Sequence, residues 1–401
     1  MDPTAIFGCG KHFYEVVFVK KFLVFLSYVL VAAIAAATAT ATAEKKAAEQ
    51  VDKLDELTQI IQTYFIGEPD LEAMENAAAA AMVEALDDQW SYYMDAEEYS
   101  AYLDRMANVY VGIGTTVTQE EDGYIHIGSV EPGSPADEMG VLPGDIIIAV
   151  EGQDIHGMSL NEASTIIRGP EGTQVNLTLR RGEQEIPVTL TRRRIYIAVA
   201  SGQMLEDQIG LVQIANFDDR CASETLAIVE DLLDQGAEAL IFDVRFNPGG
   251  YKNELVKILD YLLPEGPLFR SVNYAGKEAV DYSDAKCLEI PMAVLVNGDS
   301  YSAAEFFAAA LSEYDAAVMV GQPTTGKGYF QSALELSDGS AAVISIGKYT
   351  TPNGVSLAGV GLTPDITVEV DDNMYLQLYY GIVPPEKDPQ IQAAISALKV
   401  G

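Results

Sequence analysis

Histidine and cysteine are scarce in this chain, three of each in 401 residues. Cys9, Cys221 and Cys287 lie far apart, with no CxxC pair and no histidine cluster beside them, so neither a zinc site nor a disulfide framework is indicated. A single Cys221–Cys287 bridge stays open. His12, His126 and His156 stand in no motif that resembles a triad base and read as surface or turn residues, which leaves lysine as the expected base. Basic residues are few as well: 24 Lys and Arg against 60 Asp and Glu give a formal charge of −36, a field that repels nucleic acid. Internal repeats are lacking, and the one low-complexity tract is an Ala/Thr run that ends at Ala43.

What is present begins with Lys20-Lys21 ahead of an apolar stretch, Phe22 to Ala37, broken only by Ser27 and followed by A-x-A sites. This pattern predicts an export signal over 1–43 or, if it is not cleaved, a membrane anchor through 22–37. Either reading places the protein outside the cytoplasm, secreted or membrane-anchored. Length favours two or three domains, and 49% hydrophobic with 21% charged residues is a globular composition. From 44 to 105 apolar residues recur at helical spacing (Leu54, Leu57, Ile60, Ile61, Tyr64), Asp70 opens a second helix, and Asp95 a third. These helices are expected to pack or to pair two copies of the chain. From 106 to 194 short β-rich runs alternate with Gly and Pro. From 195 to 372 apolar strands alternate with helices, the pattern of an α/β layer around a buried sheet, and 373–401 reads as a C-terminal helical appendage.

Three motifs carry the chemistry. Val294-Leu295-Val296 is a buried strand leading through Asn297-Gly298-Asp299 to Ser302, which opens a helix, so its hydroxyl and the first helical N–H groups face one space. Taken alone, Ser302 followed by Glu305 reads first as an N-cap with a capping box and only second as a nucleophile. Asp243 to Gly250 follows another strand, and its paired glycines present backbone donors to an oxyanion. Gly326-Lys327-Gly328 flanks a lysine with residues that lack side chains, and Gln331 lies on the same face of an extended segment. A buried, neutral lysine is a competent base for a serine hydroxyl.

Together, and behind the β-rich region, these motifs resemble the carboxyl-terminal processing peptidases over roughly 50–372. The 106–194 region resembles a PDZ domain through Ser134-Pro135-Ala136, Pro143-Gly144-Asp145-Ile146 and Ile167-Arg168-Gly169-Pro170. The resemblance implies a multidomain α+β protein: an N-terminal helical region, a PDZ-like domain and a crotonase/Clp-like α/β peptidase core. It implies Ser302 as nucleophile, Lys327 as general base, Gln331 as the residue positioning the lysine, and Glu305 as a supporting acid. Gly249, Gly250 and Ala303 match the oxyanion donors. Val111, Gly112, Ile113 and Gly114 match the loop that captures the C-terminal carboxylate of a protein tail, and Arg168 the residue linking peptide occupancy to catalysis. No metal or cofactor is called for. Ala304 and Phe246 depart from the family pattern and bear on the shape of the substrate channel. The alternatives are a non-catalytic PDZ scaffold on a peptidase fold and a crotonase-like acyl-CoA enzyme.

Overall fold

The computed structural model describes residues 53–120 and 122–400, so the apolar stretch 22–37, Cys9 and His12 lie outside the described residues. No helix among the described residues is long and apolar enough to cross a membrane. The chain divides into two compact units, one running to Ala79 and one from Ala80 onward. In the first, residues 53–64 are helical and a second helix, Leu71–Glu84, starts where Asp70 Oδ1 accepts the Ala73 N–H. Of the predicted apolar face, Leu54, Leu57, Ile60 and Tyr64 are exposed and Ile61 is half-buried.

In the second unit Asp95 caps the helix Ala96–Met106 in a full capping box with Glu98. The PDZ-like sheet follows, built from Thr115–Gln119, Ile125–Val130, Ile146–Val150, Gln174–Arg181 and Gln184–Thr191 in that spatial order. Its strands alternate as half-buried strands do: Val175, Leu177 and Leu179 point into a core shared with Ile125, Ile127 and Ile147. Thr115–Gln119 forms one edge, and the helix Leu160–Ile167, capped by Ser159, packs beside it.

The larger core holds a six-stranded sheet ordered Ala200–Met204, Ile209–Ile214, Ala239–Asp243, Met292–Val296, Ala317–Gly321, Ile366–Thr367. All neighbours are parallel except the first pair. Continuous apolar strands are required because both faces are covered. Leu240, Phe242, Val294 and Val296 face the helices Cys221–Asp234, Lys252–Leu262 and Ala303–Glu313, whereas Ala239, Ile241, Ala293 and Leu295 face Ile391 and Ala394. The helix Pro389–Val400 is therefore the second layer of the core rather than an appendage. Arg245, almost wholly buried, ties it down through Asp388 Oδ2 at 2.8 Å and Gln390 Oε1 at 2.8 Å, and pairs with Asp243.

Unanticipated by the strand pattern is an antiparallel sheet in which Ala341–Thr350 pairs along one edge with Tyr329–Glu335. Along its other edge it meets Tyr92–Met94 and then Gly266–Asn273, which pairs with Glu278–Ser283. Cys221 is buried and, like Cys287, a free thiol, so the bridge between them does not form.

Candidate active site

The three motif segments leave the carboxyl ends of three adjacent parallel strands, Ala239–Asp243, Met292–Val296 and Ala317–Gly321, and so converge at one end of the sheet. Side chains bind the loops together. Asn297 Oδ1 accepts the Phe246 N–H at 3.0 Å, Ser300 Oγ donates to the Val244 carbonyl at 2.8 Å, and the Tyr301 N–H reaches the Asn247 carbonyl at 3.1 Å.

Ser302 sits at φ 59°, ψ −124°, a conformation that costs about 1–3 kcal/mol for a residue with a Cβ and persists only where the surroundings impose it. Its hydroxyl makes no cap; it meets the buried Tyr349 hydroxyl at 3.0 Å. Burial raises the Tyr349 pKa, so the phenol stays protonated. Half of the predicted capping box survives: Glu305 Oε2 accepts the Ser302 N–H at 3.0 Å. The same carboxylate accepts the Lys327 N–H at 2.9 Å, the Gly326 N–H at 2.7 Å and the Thr324 hydroxyl at 2.5 Å. Glu305 is fully buried, and burial raises its pKa against the lowering effect of these four donors. Three fixed N–H donors leave the ionised form as the species the cradle suits. One carboxylate thus staples the serine turn to the lysine loop.

The Lys327 amine is held below the ordinary lysine range by burial, opposed by the charges of Glu305 and Asp88. It forms no hydrogen bond with Ser302. Its Nζ lies 4.7 Å from the centroid of the Trp90 ring and 5.9 Å from that of Tyr301. Gln331 does not hold the lysine as expected: its amide donates to the Tyr329 carbonyl at 3.2 Å and to Ser345 Oγ at 3.0 Å.

At the glycine pair the backbone approach is close. A Cβ on Gly249, at φ 92°, would lie 2.7 Å from Ser302 Cβ, and one on Gly250, at φ 147°, 2.3 Å from the Phe217 carbonyl oxygen. The Gly249 N–H is already taken by Asn247 Oδ1 at 2.8 Å, which corrects its expected role as a donor. The N–H groups of Gly250 and Ala303 have no acceptor among the described residues. Ser302, Lys327, Tyr349, Gly250 and Ala303 border a cleft of about 790 Å³ whose apolar wall includes Leu255, Phe269, Phe330 and Val343.

In the PDZ-like module Val111 and Gly112 belong to a strand, Val109–Gly112, paired with Arg193–Tyr196. Ile113 and Gly114 form the turn into the edge strand, and their carbonyls are occupied by the N–H groups of Ala136 and Glu131. Arg168 is exposed; its backbone N–H closes the helix on the Ser164 carbonyl at 2.9 Å, and its side chain makes no hydrogen bond or ion pair, so no such contact joins it to the catalytic loops. The buried Arg192, which carried no sequence signal, instead binds the carbonyls of Ile166, Ile167 and Gln174 and fixes the end of the helix Leu160–Ile167. Tyr349 and Trp90 were likewise invisible as site residues, for only the folded antiparallel sheet brings them in.

Residues 208–368 match peptidase family S41, 126–181 the PDZ domain, and 14–98 the N-terminal domain of the activating protease CtpB. The carboxy-terminal processing protease CtpA of Bacillus subtilis (strain 168) is 34% identical over 332 residues, 82% of this chain and 71% of that one. A carboxy-terminal-processing protease of Bartonella bacilliformis is 31% identical over 88% of this chain and 83% of its own length. Among solved structures, a photosystem II D1 C-terminal processing protease is 27% identical, covers 78% of this chain and 86% of its own, and superposes with a TM-score of 0.47.

Proposed function

Since the chain belongs to the carboxy-terminal processing proteases of peptidase family S41, and is a serine-type peptidase with a PDZ domain, we propose that it cleaves protein tails by a Ser302/Lys327 acyl-enzyme mechanism. The observation that carries this reading is the Glu305 carboxylate, which binds the backbone of both residues at one cleft.

The neutral Lys327 amine takes the proton of Ser302 Oγ as that oxygen attacks the scissile carbonyl. Negative charge develops on the carbonyl oxygen and is received by the N–H groups of Gly250 and Ala303. The Lys327 ammonium then protonates the departing amine, and water, deprotonated by the same lysine, resolves the ester. Before attack Ser302 exchanges its bond with Tyr349 for one with Lys327, which has to leave Trp90. The tail adds as a strand to the edge Thr115–Gln119 beside the helix Leu160–Ile167, its carboxylate against the N–H groups of Ile113 and Gly114. The leader-like 22–37 stretch supports an extracytoplasmic site of action.

Mass spectrometry of tail peptides incubated with the purified protein tests the reading. A peptide with a free C-terminal carboxylate is cut, its amide binds more weakly and is cut more slowly, and Ser302→Ala abolishes both cleavages. Equal binding and cutting of acid and amide would remove the tail-reading role, and cleavage by Ser302→Ala the serine mechanism.

A further inference from the structure

We propose that Trp90, with Tyr301, forms an aromatic holding site for the charged form of Lys327, and that release from it is what delivers the amine to Ser302; the proposal rests on Lys327 being the base. A protonated amine 4.7 Å above one indole centroid and 5.9 Å from a phenol centroid lies within the range of a cation–π contact, and indole is the strongest of the side-chain partners. The two rings stand 6.4 Å apart at a tilt of 32°, so both can border the same ammonium. A neutral amine gains little from such faces. The site therefore discriminates between protonation states at the position where Lys327 is not catalytic.

Several features build the holding site. Trp90 donates its backbone N–H to Asp88 Oδ1 at 3.2 Å, and Ser91 Oγ donates to the Asp88 carboxylate at 2.6 Å, which fixes the turn carrying the indole. The Ser345 N–H donates to Ser91 Oγ at 3.0 Å, and Tyr92 pairs with Val343, which moors that turn to the sheet carrying Gln331 and Tyr349. The charges facing the amine are Glu305 from the serine helix and Asp88 from the Trp90 turn; Tyr301 and Tyr349 face the same cleft as neutral phenols. Meanwhile the serine hydroxyl is occupied by Tyr349. Nucleophile and base each have an alternative partner, and Trp90 acts as a positioning residue through the lysine.

Trp90 is the sole tryptophan of the chain, so indole emission reports on this one site. In the full-length protein, emission is expected to titrate with pH at the midpoint of the rising limb of peptide turnover, and Lys327→Met should abolish the titration. Trp90→Leu, which keeps an apolar wall but removes the π face, should move the limb to lower pH by about one unit, with Trp90→Phe between it and the wild type. Emission that titrates unchanged in Lys327→Met, or a limb that stays in place in both Trp90 variants, overturns the holding site. Should Lys327→Met retain wild-type turnover, the base assignment fails instead, and the emission experiment still decides whether the indole senses the lysine.

Discussion

Glu305 is the side chain on which the site depends most. Its two oxygens receive four donors, and an amide at this position turns its NH2 toward two of them whichever way it is flipped. Glu305→Gln is expected to lower stability by about 2–3 kcal/mol in urea titrations and to reduce turnover at least tenfold, while tail binding by the PDZ domain is kept. The pH dependence follows from two displaced groups. Lys327 is competent only when neutral, and burial lowers its pKa, so turnover rises with pH through a midpoint below the ordinary lysine range. Glu305 acts on turnover in the same sense: burial raises its pKa, and as pH falls through that value protonation withdraws the acceptor that the loops share. Of these residues Ser302, Lys327 and Glu305 were legible in the sequence, because each stands in a short motif beside a strand end. Tyr349 and Trp90 were not. What brings them to the site is long-range strand pairing, of Tyr92 with Val343 and of Ser271 with Tyr349.

At the scale of elements, the parallel strands were readable because burial on both faces demands runs such as Met292–Val296 with no polar residue. Gly266–Asn273 was unreadable for the converse reason. It mixes Gly, Pro, Arg and Ser with two core residues, Leu268 and Phe269, and a register shift between Pro267 and Phe269 breaks the period of two. The last helix was readable as a helix, yet not as part of the core, since its anchor is the distant pair Arg245 and Asp388. Arg245 follows the strand that leads to Gly249 and Gly250, so the anchor also supports the turn beside Ser302. Asp388→Ala strands a buried guanidinium on one carboxylate, and a loss of about 3 kcal/mol is expected in urea unfolding. A change under 0.5 kcal/mol would show that the helix is held by its apolar face alone.

For the whole molecule, both tethers of the PDZ domain meet the peptidase core at one polar cluster. Asn108 Nδ2 donates to Asn216 Oδ1 at 2.7 Å and to the buried Asp218 at 2.8 Å, and Arg220 binds the carbonyls of Ala107 and Ile197. Asn216 also borders the catalytic cleft, so the junction between tail recognition and chemistry is local. The domain order was legible from punctuation and strand length; this clamp was not, because asparagines and an arginine in loops carry no pattern. The chemistry at the cleft is tested most directly by mass-spectrometric mapping of a fluorophosphonate adduct as a function of pH, in the wild type and in Lys327→Ala. A single adduct on Ser302, forming faster as pH rises and slowed roughly a hundredfold or more without Lys327, is the predicted result. An adduct on another residue, or labelling of Ser302 at the wild-type rate in Lys327→Ala, would contradict it.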